Sequence, residues 1–158
     1  MELRVKPKNV AFVLALSIGI LLWNATLNPP VVAQKVDPLV MVANKGNASV
    51  SNLNKSDAKR LLLGETTSWP NGRKVVVVLG TVGSANRTAV LQKVCGMSEA
   101  EYTRHNLQAT FMGDTVASVV EAPSAAVVRS YVKANPGAVG FLRESEVDEN
   151  VKAVWTVN

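Results

Sequence analysis

The chain has 158 residues, with 17 basic and 12 acidic side chains, a net charge of +5 at pH 7 and a single cysteine. One cysteine excludes an intramolecular disulfide, so the fold must rest on its core. The Lys and Arg residues are scattered, with no aromatic-interleaved basic stripe, which argues against nucleic-acid binding.

The first thirty or so residues read as an export signal. Arg4, Lys6 and Lys8 precede an apolar run from Val10 to Trp23, and Glu2 is the one acid among them. At about fourteen residues the run falls short of the roughly 20 needed to span a bilayer and suits a signal-peptide core. Val31-Val32-Ala33 offers small residues to a peptidase, which predicts residues 1–33 as a signal peptide cleaved after Ala33. An uncleaved anchor is the alternative, since Ala25 to Leu27 could extend the run. Cleavage removes three basic residues and one acid and leaves 125 residues with a net charge of +3, one domain over 34–158.

Pro38 to Ala43 is a continuous apolar run, predicted as a strand covered on both faces. A polar loop follows to Ser51. Asn54 caps a helix that runs to Leu63, Asp57 sits in its first turn, and Gly64 stops it. Trp69-Pro70-Asn71-Gly72 is a turn. Lys74 to Leu79, with four successive valines, is the strongest strand prediction. Gly80-Thr81-Val82-Gly83-Ser84 is a glycine-rich loop that leads into a helix over 85–94, with Ser84 as N-cap and Gly96 beyond its end.

Ser98-x-x-Glu101 is a capping box that starts a helix at Glu99, expected to reach about Ala109. Thr115 to Glu121 is less decided and could be extended. Ser124 caps a helix over 125–134, stopped by Asn135-Pro136-Gly137. Ala138 to Leu142 and Val151 to Val157 are strands separated by an acidic turn. Alternating strands and helices predict an α/β fold, a mixed, largely parallel sheet with flanking helices.

Three stretches carry a resemblance. Leu53 through Gly64 and on to Trp69-Pro70-Asn71-Gly72 is the first. Ser84-Ala85-Asn86-Arg87 through Cys95-Gly96-Met97-Ser98 is the second, and Tyr131-Val132-Lys133-Ala134-Asn135-Pro136-Gly137-Ala138-Val139-Gly140-Phe141 is the third. In order and spacing they resemble the phosphate-type periplasmic substrate-binding proteins. The resemblance implies one lobe of a type II periplasmic binding fold, located in the periplasm or secreted. It also implies recognition of phosphate or another small oxyanion, and an ABC transporter permease as a partner. Phosphate binders of that family carry R-x-x-x-S-G-T at a helix start; the corresponding loop here keeps Ser84 and Arg87 but lacks the Ser-Gly-Thr run. An envelope protein-interaction module that kept the fold and lost the ligand is the second reading.

Helix N-termini suit anions because their free N–H groups and dipole both favour negative charge. Thr81, Ser84, Arg87 and Thr88 are therefore the candidate ligand contacts. Asn44, and Lys45 beside it, follow a strand end, where open α/β sheets place ligands. His105 is the one histidine and has no companion at metal-ligand spacing, so neither a metal nor a cofactor is expected. No nucleophile elbow or P-loop is present, Glu101 is accounted for by capping, and Glu144 and Glu146 lie in a charged turn. No enzymatic activity is expected, and membrane contact only through an uncleaved signal segment. Cys95 is expected to be a small buried hydrophobe, and Trp69 and Trp155 packing residues.

Overall fold

The structure, a computed structural model, describes residues 37–158. The predicted leader and its cleavage point lie outside the described residues. Five strands, β1 (Leu39–Asn44), β2 (Val76–Gly80), β3 (Val119–Ala122), β4 (Ala138–Arg143) and β5 (Val151–Val157), form one mixed sheet in the order β3-β2-β4-β1-β5. β2 pairs parallel with β3 and β4, whereas β1 pairs antiparallel with β4 and β5.

Strand side chains alternate between two cores, as the pleat requires. Met41, Val77, Leu79, Val139 and Phe141 meet one helical layer: α1 (Lys55–Leu62), α2 (Ala85–Val90) and α3 (Glu99–Met112). Val40, Val42, Val78 and Leu142 face the other way, onto Val128 and Val132 of α4 (Ala125–Ala134). Gly140 lets α4 sit close, because a Cβ there would come within 2.6 Å of Val128 Cγ1.

The capping predictions hold. Asn54 and Asp57 form a reciprocal capping box on α1, and Ser98 and Glu101 form one on α3. The two hydrogen bonds from Ser98 hold the Glu101 carboxyl below its ordinary pKa. Ser84 and Ser124 cap α2 and α4.

Three details differ from the sequence reading. After Val90 the second helix widens into a π turn, Leu91–Cys95, before Gly96 closes it in the left-handed conformation. α3 continues past Ala109 to Met112, where Gly113, at φ 76°, ends it. Of the undecided segment 115–121, only the part from Val119 joins the sheet. Residues 115–117 lie instead against Gly64, where φ is +79° and a Cβ would stand 2.5 Å from Ala117 N. Both the turn and the contact therefore require glycine.

Candidate functional site

β2, β3 and β4 run parallel, so their C-terminal ends share one edge of the sheet. The loop after β2 leads to α2 on one face, and the loop after β3 leads to α4 on the other. Neighbouring strands whose connections diverge leave a crevice at their carboxyl ends, where α/β sheets commonly bind ligands. A cleft of about 320 Å³ lies there, with Gly80, Thr81, Ser84, Asn86, Ser124 and Arg143 among its lining residues.

Two helix starts meet at this cleft. Ser84 Oγ accepts from Arg87 N at 3.3 Å, and Ser124 Oγ accepts from Val127 N at 3.4 Å. Each cap satisfies a later N–H and leaves the earlier ones of its helix at the mouth, with the positive end of the dipole behind them. Arg143 is the one cation among the described lining residues, and its Nη1 donates to the carbonyl of Asp37 at 3.1 Å. Glu146 also lines the cleft, its carboxylate accepting from Arg143 N at 2.8 Å. Asn86 donates to Phe141 O at 3.3 Å, while its buried Oδ1 has no partner among the described residues. The arrangement can hold a small anion by backbone N–H groups, hydroxyls and one guanidinium.

The five candidate residues of the sequence reading are placed differently from one another. Thr81 and Ser84 line the cleft. Thr88 is exposed on α2 and is not among the lining residues. Arg87 is 6% exposed, and its guanidinium is paired within the protein. Its Nε and Nη2 donate to the two Glu99 oxygens at 2.8 and 2.7 Å, and its Nη1 donates to Glu121 at 2.9 Å and to Gly80 O at 3.3 Å.

Asn44 lies at the far end of the sheet. Because β1 is antiparallel to β4, its C-terminal end stands beside the start of β4, where Ala43 faces Val139. There the Asn44 amide donates to Val132 O at 2.9 Å and Lys133 O at 2.7 Å, closing the end of α4. Lys45 beside it is exposed. His105 is half-buried on α3, and no group of three or more potential metal ligands occurs among the described residues. Cys95 is buried, and burial raises its thiol pKa to about 11 against a weaker opposing pull from Lys59.

No protein-family model and no curated protein matches the chain. Solved structures do. An ABC-type phosphate transport receptor from Vibrio cholerae is 26% identical, with a TM-score of 0.57, over 75% of this chain and 45% of its own. A putative phosphate ABC transporter substrate-binding protein from Clostridium perfringens, solved with bound phosphate, is 25% identical. Its TM-score is 0.58, over 75% of this chain and 44% of its own. The chain is similar to phosphate receptors of ABC transport systems. A possible phosphate binding protein from Planctomyces limnophilus, 13% identical at a TM-score of 0.56, shares the fold.

The chain spans less than half the length of these receptors, at 45%, 44% and 40%. That agrees with the resemblance to a single lobe. Among the described residues no helix is long and apolar enough to cross a membrane.

Sequence reasoning passed over Ser124, Arg143, Glu146 and Asn86 as cleft residues. Ser124 was visible as a helix cap and Arg143 as the residue that follows a predicted strand. Placing both beside Thr81 and Ser84 requires the strand order.

Proposed function

We propose that this chain is an exported substrate-binding domain that recognises phosphate or a similar small oxyanion at the β2–β3–β4 edge. One observation carries the reading: two helix starts, the hydroxyls of Thr81, Ser84 and Ser124, and Arg143 all border one cleft. Similarity to phosphate receptors supports the same class of ligand. The basic leader and apolar run of residues 1–33 support delivery to the periplasm or outside the cell, and an ABC-type uptake or sensing system is the expected user, with its permease as partner.

A ligand that binds only the native state raises the melting temperature, by an amount that grows with the logarithm of its concentration once that exceeds the dissociation constant. A thermal-shift series of phosphate, sulfate and chloride on the full-length chain tests the reading. Phosphate at millimolar concentration should raise the midpoint above the chloride control at equal ionic strength. An unmoved midpoint with all oxyanions defeats it.

The second reading, an envelope interaction module, is favoured by α3. Leu107, Phe111 and Met112 on that helix are 55%, 83% and 78% exposed. Light scattering that shows a single chain, together with oxyanion binding, would leave the first reading alone.

A further inference from the structure

We infer that Arg87 is a positioning residue for the cleft and does not itself touch the ligand. The inference rests on the anion reading above and departs from the expectation that Arg87 meets the anion. Its guanidinium is enclosed by its own protein: the side chain is 7% exposed, with Glu99 on the start of α3 and Glu121 on β3 as partners. The geometry points to a strut.

Arg87 Nη1 joins Gly80 O and Glu121 Oε1, and these are the end of β2 and the last residue but one of β3. Gly80 and Ala122, the residue after Glu121, both line the cleft. The loops that present Thr81 and Ser84 on one side and Ser124 on the other therefore start from two points tied to one guanidinium. Glu99 takes Nε and Nη2 in a bidentate pair, which fixes the plane of the guanidinium. A planar fork serves three elements with the Glu99 pair held bidentate; a lysine ammonium keeps the charge on one compact centre and loses that bidentate geometry.

Strut and ligand contact predict opposite signs. If Arg87 touched the anion, Glu121 would compete with the ligand, and Glu121→Gln would tighten binding. As a strut, Arg87 keeps only a weakened hold on β3 in Glu121→Gln, because a neutral amide oxygen replaces a charge-assisted acceptor, and phosphate binding weakens about fivefold. Arg87→Lys gives a second contrast: a direct contact is largely rescued by the retained charge, whereas a strut is not.

The experiment is isothermal titration of inorganic phosphate into the full-length chain in mild detergent, for the wild type, Glu121→Gln, Glu99→Gln and Arg87→Lys. Amide hydrogen exchange of each protein without phosphate accompanies it. The expected result is weaker phosphate binding in all three variants, with faster exchange at both 80–84 and 122–125. Tighter binding in Glu121→Gln, or wild-type affinity in Arg87→Lys, overturns the strut. A wild type that binds no phosphate overturns the anion reading; exchange that rises at both loops in Glu121→Gln then still upholds the strut, and unchanged exchange removes it. If Arg87→Lys fails to fold, the two glutamate variants decide the matter.

Discussion

The indole of Trp69 donates to the carbonyl oxygen of Gly137 at 2.9 Å, tying the turn after α1 to the entry of β4. Trp69 is also 7% exposed, so the residue both packs and pins. Gly137 O has a second donor in Val76 N at 3.3 Å and is not orphaned when the indole is lost. Trp69→Phe should cost about 1–2 kcal/mol from the lost bond and the smaller ring, and Trp69→Ala about 3–5 kcal/mol. Denaturant unfolding checks this: the midpoint should fall with the slope unchanged.

Asn44 separates stability from binding. Its amide closes the last turn of α4 through Val132 O and Lys133 O, and its Oδ1 accepts from Gly46 N at 2.7 Å. Asn44→Ala leaves those groups without their partner and should cost about 1–3 kcal/mol. Because the residue sits at the opposite end of the sheet from the cleft, phosphate affinity measured well below the melting temperature should not change. A parallel loss of affinity and stability would place Asn44 in the site after all.

These two residues also show how much was legible. Helix caps were, because Ser98 with Glu101 and Asn54 with Asp57 act within one turn of the chain. Four of the five strands were legible too, from apolar runs such as Val75 to Val78, whereas β3 lay inside an undecided segment. Direction in the sheet was not: nothing local to Leu39–Asn44 says that β1 runs against β4, and that alone sends Asn44 away from Thr81. Arg87 is the same lesson in electrostatics. Its carboxylate partners lie 12 and 34 residues away, so a cation at a helix start read as available when it was already paired.

Alkaline pH should destabilise the domain. Burial raises the Cys95 thiol from 9.0 to about 11, and burial likewise raises Tyr102, whose hydroxyl donates to Leu62 O at 2.9 Å. Both acids ionise more readily in the unfolded chain, which then binds fewer protons than the native state. These two groups therefore leave stability unaffected below about pH 9 and lower it as pH rises from 9.0 towards 11. Denaturant midpoints across that range should decline, and Cys95→Ala should flatten part of the decline. Alkylation of Cys95 by iodoacetamide should be slow in native protein at neutral pH and fast once denatured.

Gly64→Ala should be among the most damaging small changes. The position needs φ +79°, and the new methyl would stand 2.5 Å from Ala117 N and 2.6 Å from the Val116 carbonyl carbon. The left-handed backbone alone costs about 1–2 kcal/mol, and the overlap adds about 1–3 kcal/mol unless the segment 115–117 moves. Proteolysis within 113–118 should rise in the variant; an unchanged melting temperature and cleavage pattern would mean that the segment yields freely.

Arg143 and Glu146 should move anion affinity in opposite directions. Arg143 is the one cation among the described lining residues, and Glu146 is the carboxylate beside it. Arg143→Gln removes the attraction and should weaken phosphate binding about tenfold at low salt, with a smaller loss at high salt because the exposed charge is screened. Glu146→Gln removes a like charge and should tighten binding about threefold, while its side-chain oxygen can still accept from Arg143 N. Arg143→Lys should recover part of the loss, since an ammonium keeps the charge without the planar fork. Titration of phosphate at two ionic strengths reads all three variants. Equal affinity across them would move the ligand away from this edge of the sheet.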